Sequence, residues 1–201
     1  MGHLSEEFWS ERYKTDQTGW DLGTVSTPIK EYVDQLTNKD LKILIPGCGM
    51  GYEAEYLHEQ GFTNVHIIDL SIEPLNAFKE RVKDFPTEHI HKGDFFAHEG
   101  KYDLILEQTM FCAIDPALRS NYAEAVNKLL NPLGKLVGVL FDFPLESGPP
   151  YGGSKEEYLE HFQAHFDEVS IERCYNSIPP RADREFFIKL CKVSHPSKLT
   201  L

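Results

Sequence analysis

The sequence is short of positive charge. Twenty Lys and Arg stand against 32 Asp and Glu, a formal net charge of -12. A chain that acidic lacks the clustered cations that grip a phosphate backbone, so no nucleic acid partner is expected. Cysteine is scarce as well. Cys48, Cys112, Cys174 and Cys191 lie far apart and form no C-x-x-C, which indicates neither a zinc site nor a disulfide framework; reduced, mostly buried thiols are expected. No apolar run approaches the length of a membrane span, and no charged-then-apolar leader opens the chain. A soluble, cytoplasmic protein with no membrane partner is the expectation. His89 with His91 on a strand face and His161 with His165 on a helix face could each chelate, but neither pair has a third ligand nearby in sequence, so no metal is expected.

What is present suits a folded enzyme-sized domain. The 201 residues, 41% hydrophobic and 12% aromatic, predict one globular domain over 1–201. It divides into an N-terminal segment with helices over 1–40, a core over 41–193 and a polar tail over 194–201. No internal repeat or low-complexity segment interrupts it.

The chain is organised around Leu41 to Glu53, where an Ile- and Leu-rich run breaks into Gly47, Gly49 and Gly51 and resumes as a polar, helix-favouring segment. That pattern predicts strand, tight turn, helix. About twenty residues on, Val65 to Leu70 is a second apolar run that ends in Asp69, where a carboxylate in a doubly wound fold can accept hydrogen bonds from ribose hydroxyls. Together the two predict a nucleoside site. A dinucleotide fingerprint places its third glycine one residue later than Gly51, so a pyrophosphate seat is disfavoured.

Elsewhere strand and helix alternate. Ser5 caps a helix carrying Phe8, Trp9 and Tyr13; Thr27-Pro28 opens one with Ile29, Tyr32, Val33 and Leu36 on one stripe. Helices over 52–60 and 72–82, strands at 89–91 and 102–106, and a helix through Tyr122 to Leu130 follow. Asn131-Pro132-Leu133-Gly134 is expected to end that helix before a strand over 135–141. Ser154 with Glu157 forms a capping box for a helix bearing Tyr158 and Phe162. Segments 168–175 and 185–193 predict an antiparallel hairpin at the sheet edge. Alternation of this kind predicts a mostly parallel sheet covered by helices on both faces.

The combined motifs are more specific than any one of them. Trp9, Trp20-Asp21-Leu22-Gly23, Ile45-Pro46-Gly47-Cys48-Gly49, Asp69, Asp94-Phe95, Phe111-Cys112-Ala113-Ile114-Asp115-Pro116, Gly148-Pro149-Pro150-Tyr151 and Ser177-Ile178-Pro179-Pro180-Arg181 resemble the thiopurine S-methyltransferase family. Within it the closest likeness is to the halide, thiocyanate and thiol methyltransferases. The resemblance implies a Rossmann-like class I methyltransferase fold, a seven-stranded, mostly parallel sheet with a C-terminal antiparallel hairpin and, within 1–40, an N-terminal helical lid. It implies S-adenosylmethionine as cofactor and a small-molecule nucleophile as acceptor. It further implies that Trp9, Tyr13 and Trp20 cover the cofactor and that Gly47, Gly49 and Gly51 take its methionine end. Asp69 and Leu70 would hold the ribose, Asp94 and Phe95 the adenine, with Glu107, Gln108 and Phe111 at the sulfonium corner. Tyr151 and Arg181 would stand at the acceptor.

Methyl transfer from a sulfonium is an in-line displacement, which asks mainly for alignment and exclusion of water. An acceptor that is already anionic needs no general base. Other readings coexist: Trp20 as a packing plug, Asp94 as a cap, Arg181 as a surface partner of Asp183 or Glu185. An NAD-type oxidoreductase and a non-catalytic cofactor-binding module are the competing functions, and a monomer is expected.

Overall fold

The computed structural model describes residues 4–192, so the tail expected over 194–201 lies outside the described residues. Seven strands form one sheet: β1 (Ile43–Pro46), β2 (Val65–Asp69), β3 (Ile90–Lys92), β4 (Tyr102–Gln108), β5 (Leu130–Phe141), β6 (Glu168–Arg173) and β7 (Glu185–Cys191), in the order β3-β2-β1-β4-β5-β7-β6. β1, β2, β3, β4 and β5 pair in parallel, whereas β7 runs antiparallel to both β5 and β6. The expected C-terminal hairpin is therefore present, with β6 as the outer edge.

Why β1 reads as an unbroken Ile-Leu-Ile run follows from this position. It is central and every residue in it is buried, so both faces need apolar side chains. On one face Ile29 and Val33 of α2 (Thr27–Asp34), Ala54 and Leu57 of α3 (Tyr52–Glu59) and Leu75 and Phe78 of α4 (Ile72–Arg81) pack on Ile43, Ile45 and Leu104. On the other, Tyr122, Val126 and Leu129 of α5 (Arg119–Leu129) and Tyr158 and Phe162 of α6 (Lys155–Phe162) cover Leu44, Ile105 and Leu136. Each large side chain so buried contributes roughly 1.5–3 kcal/mol. That exceeds any helix propensity difference, and burial decides these elements.

The first helix is different. α1 (Glu6–Lys14) is capped by Ser5, whose hydroxyl accepts from Phe8 N at 3.3 Å. It crosses the carboxyl ends of the strands rather than a sheet face. Lys92 Nζ reaches Glu6 Oε2 at 2.6 Å, Ser10 and Ser71 hydroxyls meet at 3.0 Å, and Lys14 Nζ sits 3.0 Å from Glu73 Oε1. These contacts place α1 as a lid over β2, β3 and the start of α4.

Three local expectations change. Asn131 to Gly134 does not separate helix from strand but belongs to β5: Leu130 is already paired with Tyr102, Leu133 N donates to Lys192 O at 2.7 Å, and the register shifts before Lys135 meets Leu104. Neighbouring strands absorb the Pro-Gly segment as an irregularity in the ladder. In the predicted capping box, Ser154 does accept from Glu157 N at 3.3 Å, yet the Glu157 carboxylate turns to the buried Arg119 instead, Oε1 to Nη1 at 2.5 Å. His165 lies beyond the end of α6, so it does not share a helix face with His161. Within 4–192 no helix is long and apolar enough to cross a membrane.

Candidate active site

The chain reverses at the end of β1 through Gly47, held at φ 55°. A Cβ there would lie 2.9 Å from Met110 Cγ, so only glycine lets the loop after β4 close against the loop after β1. Gly51, at φ 73°, caps α3 and faces the Phe78 ring, 2.5 Å from where its Cβ would stand. It is thus a packing glycine off the cavity wall. Gly49 N–H donates to Asp69 Oδ2 at 2.9 Å, and Ser71 N–H to Asp69 Oδ1 at 2.8 Å. The carboxylate that ends β2 thereby fixes the glycine turn.

Above these strand ends opens a cavity of about 550 Å³. Trp9, Tyr13, Trp20, Gly47, Asp69, Leu70, Asp94, Phe95 and Arg181 all line it. Burial raises the Asp69 pKa against the backbone N–H groups of Ser71, Gly49 and Leu70 that lower it, so a partner with hydroxyl donors would favour its ionised form. Asp94 does two things at once: its Oδ1 accepts from Phe96 N at 2.9 Å, capping a short 3-10 turn, and the residue faces the cavity. Trp20 is likewise both plug and wall. Its ring meets Trp9 edge-on at 5.6 Å and Tyr13 at 5.8 Å.

Several expected contacts are turned away. Glu107 is fully buried; its Oε1 accepts from Met110 N at 2.8 Å and Phe111 N at 2.9 Å, and its Oε2 accepts from the Tyr122 hydroxyl. With its hydrogen bonds spent inside, it holds the loop and does not face the cavity. Gln108 Oε1 is taken by the Ser26 hydroxyl at 2.8 Å. Phe111 packs among Tyr122, Tyr158 and Phe162 beneath the wall. Tyr151 folds back on Gly148, with its N–H on Cys112 O at 2.7 Å, and Pro149 and Pro150 take the cavity position instead.

Arg181 brings a buried cation to the cavity wall. It is 9% exposed; Nη2 donates to Trp20 O at 2.8 Å, while Nη1 is buried without a hydrogen-bond partner and lies 3.5 Å from Glu185 Oε1. Of the two partners the sequence offered, Glu185 is the one, and the pair is buried rather than solvated. The Arg181 guanidinium lies over the Phe141 ring, 5.4 Å from the centroid, and Phe141, Ile114, Pro149 and Pro150 are among the apolar residues that line the cavity. Met110 and Arg12 also line the cavity without any motif having marked them, as does Cys112 of the Phe111-to-Pro116 motif, to which no role had been given. Among the described residues no group of three or more His, Cys, Asp or Glu is arranged to hold a metal ion.

Known proteins match both sequence and fold. Residues 4–185 match the thiopurine S-methyltransferase family. The chain belongs to that family. A thiol methyltransferase 2 of Arabidopsis thaliana is 31% identical over 195 residues, covering 92% of this chain and 84% of that protein. Thiocyanate methyltransferase 1 of Brassica oleracea is 28% identical over 189 residues, covering 90% and 83%. Among solved structures, the Burkholderia thailandensis 1,6-didemethyltoxoflavin-N1-methyltransferase, with its substrate and S-adenosylhomocysteine bound, superposes with a TM-score of 0.74 at 18% identity, covering 94% of this chain and 87% of that one. The sheet is that of class I methyltransferases, and as a member of this family the chain is an S-adenosylmethionine-dependent methyltransferase.

Proposed function

We propose that this methyltransferase acts on a small, soft nucleophile, an anionic sulfur compound or a halide. The observation that carries the reading is Arg181: a buried guanidinium on the cavity wall whose Nη1 makes no hydrogen bond and meets the Glu185 carboxylate at 3.5 Å. An anion there loses its water and gains a fixed positive partner, which leaves it a better nucleophile.

The methyl donor suits the wall formed at the strand ends. Asp69 offers carboxylate oxygens to a ribose, the turn at Gly47 and Gly49 brings backbone close to the methionine portion, and Asp94, Phe95 and Leu70 bound the adenine. Trp9, Tyr13 and Trp20 close over it and keep water out. When bound, the sulfonium supplies an electrophilic methyl group. The chain's own task is to align the acceptor with that carbon, and Met110 and Cys112, on the loop that Glu107 ties down, line the cavity for that purpose. Tyr151 acts through its loop, whose N–H anchor on Cys112 sets Pro149 and Pro150 beside Arg181. No metal enters this scheme, and a ready-made anion needs no general base.

An acceptor screen tests it. Incubation with S-adenosylmethionine and iodide, thiocyanate, hydrosulfide or an aryl thiol, followed by headspace or liquid chromatography, should give methylated product from at least one. Silence across all four, with donor binding intact, would reject the acceptor class.

A further inference from the structure

Arg181 is flanked by two buried carboxylates rather than one. Glu185, 3% exposed, lies 3.5 Å from Nη1, and Glu53, 7% exposed, is within electrostatic reach of the same guanidinium while its Oε1 accepts from Ser26 N at 3.1 Å. With both ionised, the trio carries one net negative charge in a region screened from water. Adding an anionic acceptor would leave two. Close like charges in such surroundings are costly enough that one site takes a proton instead.

Resting on the acceptor reading above, we propose that an anionic acceptor binds together with one proton, taken up by Glu185 as the acceptor replaces it on Arg181. An O–H bond forms on the Glu185 carboxylate, the proton comes from the buffer, and no other bond changes. Glu185 is favoured over Glu53 because it lies 3.5 Å from Nη1, whereas Glu53 meets Arg181 only through the longer-range field and keeps a backbone N–H from Ser26. Burial already raises the pKa of both carboxylates; a Ser177 hydrogen bond and Arg181 lower Glu185, and the Ser26 N–H and Arg181 lower Glu53, so diverting Arg181 to another anion removes part of that opposition. The other titratable groups that face the trio are the Cys112 thiol, the Tyr158 phenol and Asp21, with the Cys48 thiol near Glu53. Burial keeps both thiols and the phenol neutral. Glu185 is a positioning residue here, acting through Arg181.

The test is calorimetric. Thiocyanate is titrated into protein saturated with S-adenosylhomocysteine, in two buffers of different ionisation enthalpy, across pH 6 to 9. The expected result is uptake of up to one proton per thiocyanate, with affinity falling by up to about tenfold per pH unit over the range where uptake occurs. Glu185→Gln should abolish the uptake and bind thiocyanate more tightly at high pH, while Glu53→Gln should retain it. Binding without proton uptake, or uptake that survives in Glu185→Gln, overturns the proposal and leaves the acceptor reading standing. Uptake lost in Glu53→Gln instead overturns the assignment. If S-adenosylhomocysteine binds and thiocyanate does not, the acceptor reading fails and this coupling with it. Should Glu185→Gln not fold, the proton count of the unaltered protein still decides.

Discussion

Glu107 Oε1 accepts the backbone N–H of Met110 at 2.8 Å, and Met110 in turn closes against Gly47. The carboxylate also takes Phe111 N and the Tyr122 hydroxyl, so it carries the cavity floor without touching the cavity.

Burial raises the Glu107 pKa from 4.5 to about 7. A carboxyl whose folded pKa is raised contributes its full stability below pH 4.5 and loses it as pH rises through 7. Glu107→Gln, which keeps an acceptor for both N–H groups, should therefore flatten the pH dependence of unfolding free energy between pH 4.5 and 7.5. Glu107→Ala, which strands buried donors, should cost about 3 kcal/mol. Urea denaturation across that range checks both.

A group of imidazoles beside β3 sets an acid limit. His66 Nδ1 and His91 Nε2 meet at 3.1 Å, His66 and His89 rings lie 4.0 Å apart, and His98 Nε2 meets the Tyr102 hydroxyl at 2.7 Å. Burial, with the neighbouring imidazoles and Lys42, lowers the His66 pKa from 6.5 to about 3 and lowers those of His91 and His98. The neutral forms are built in, so stability is full above pH 6.5 and falls as pH drops toward 3, by up to about 1.4 kcal/mol per pH unit for each imidazole involved. His66→Gln should soften that slope; an unchanged slope would remove the cluster from the account.

Asp69→Asn keeps one oxygen for the backbone but removes the charge and one acceptor. S-adenosylhomocysteine binding should weaken at least about tenfold, equivalent to about 1.4 kcal/mol, with circular dichroism unchanged. Full affinity in the variant would detach Asp69 from the donor.

Gly47→Ala should destabilise the protein by about 1–2 kcal/mol, the cost of a left-handed non-glycine residue, with a further loss from the Met110 contact. Met110→Ala in the same chain should return the second part and not the first. Thermal melts of the four-member cycle measure it.

Much of the frame was legible because it rests on local pattern. The glycine turn, Asp69 and the alternating strands and helices are signalled within short windows, and a mostly parallel sheet follows from them; its seven strands were implied by the family resemblance. What escaped depends on contacts between distant segments. Asn131 to Gly134 reads as a stop until Lys192 and Tyr102 are seen to pair across it. Glu107 reads as a cavity residue until Tyr122, 15 residues on, is found holding its carboxylate inward. Arg12 and Met110 stand in no motif, and only the closing of α1 and of the loop after β4 brings them to the wall.

The bond from Arg181 to the Trp20 carbonyl joins the acceptor-side cation to the segment that roofs the donor. On the proposed assignment, the guanidinium has this anchor only while the Trp20 segment is in place over the donor, so the anion is expected to be held best after the donor is seated. Steady-state kinetics should accordingly show a compulsory sequence: donor in first, methylated product out first, and the demethylated donor inhibiting competitively against its own precursor alone.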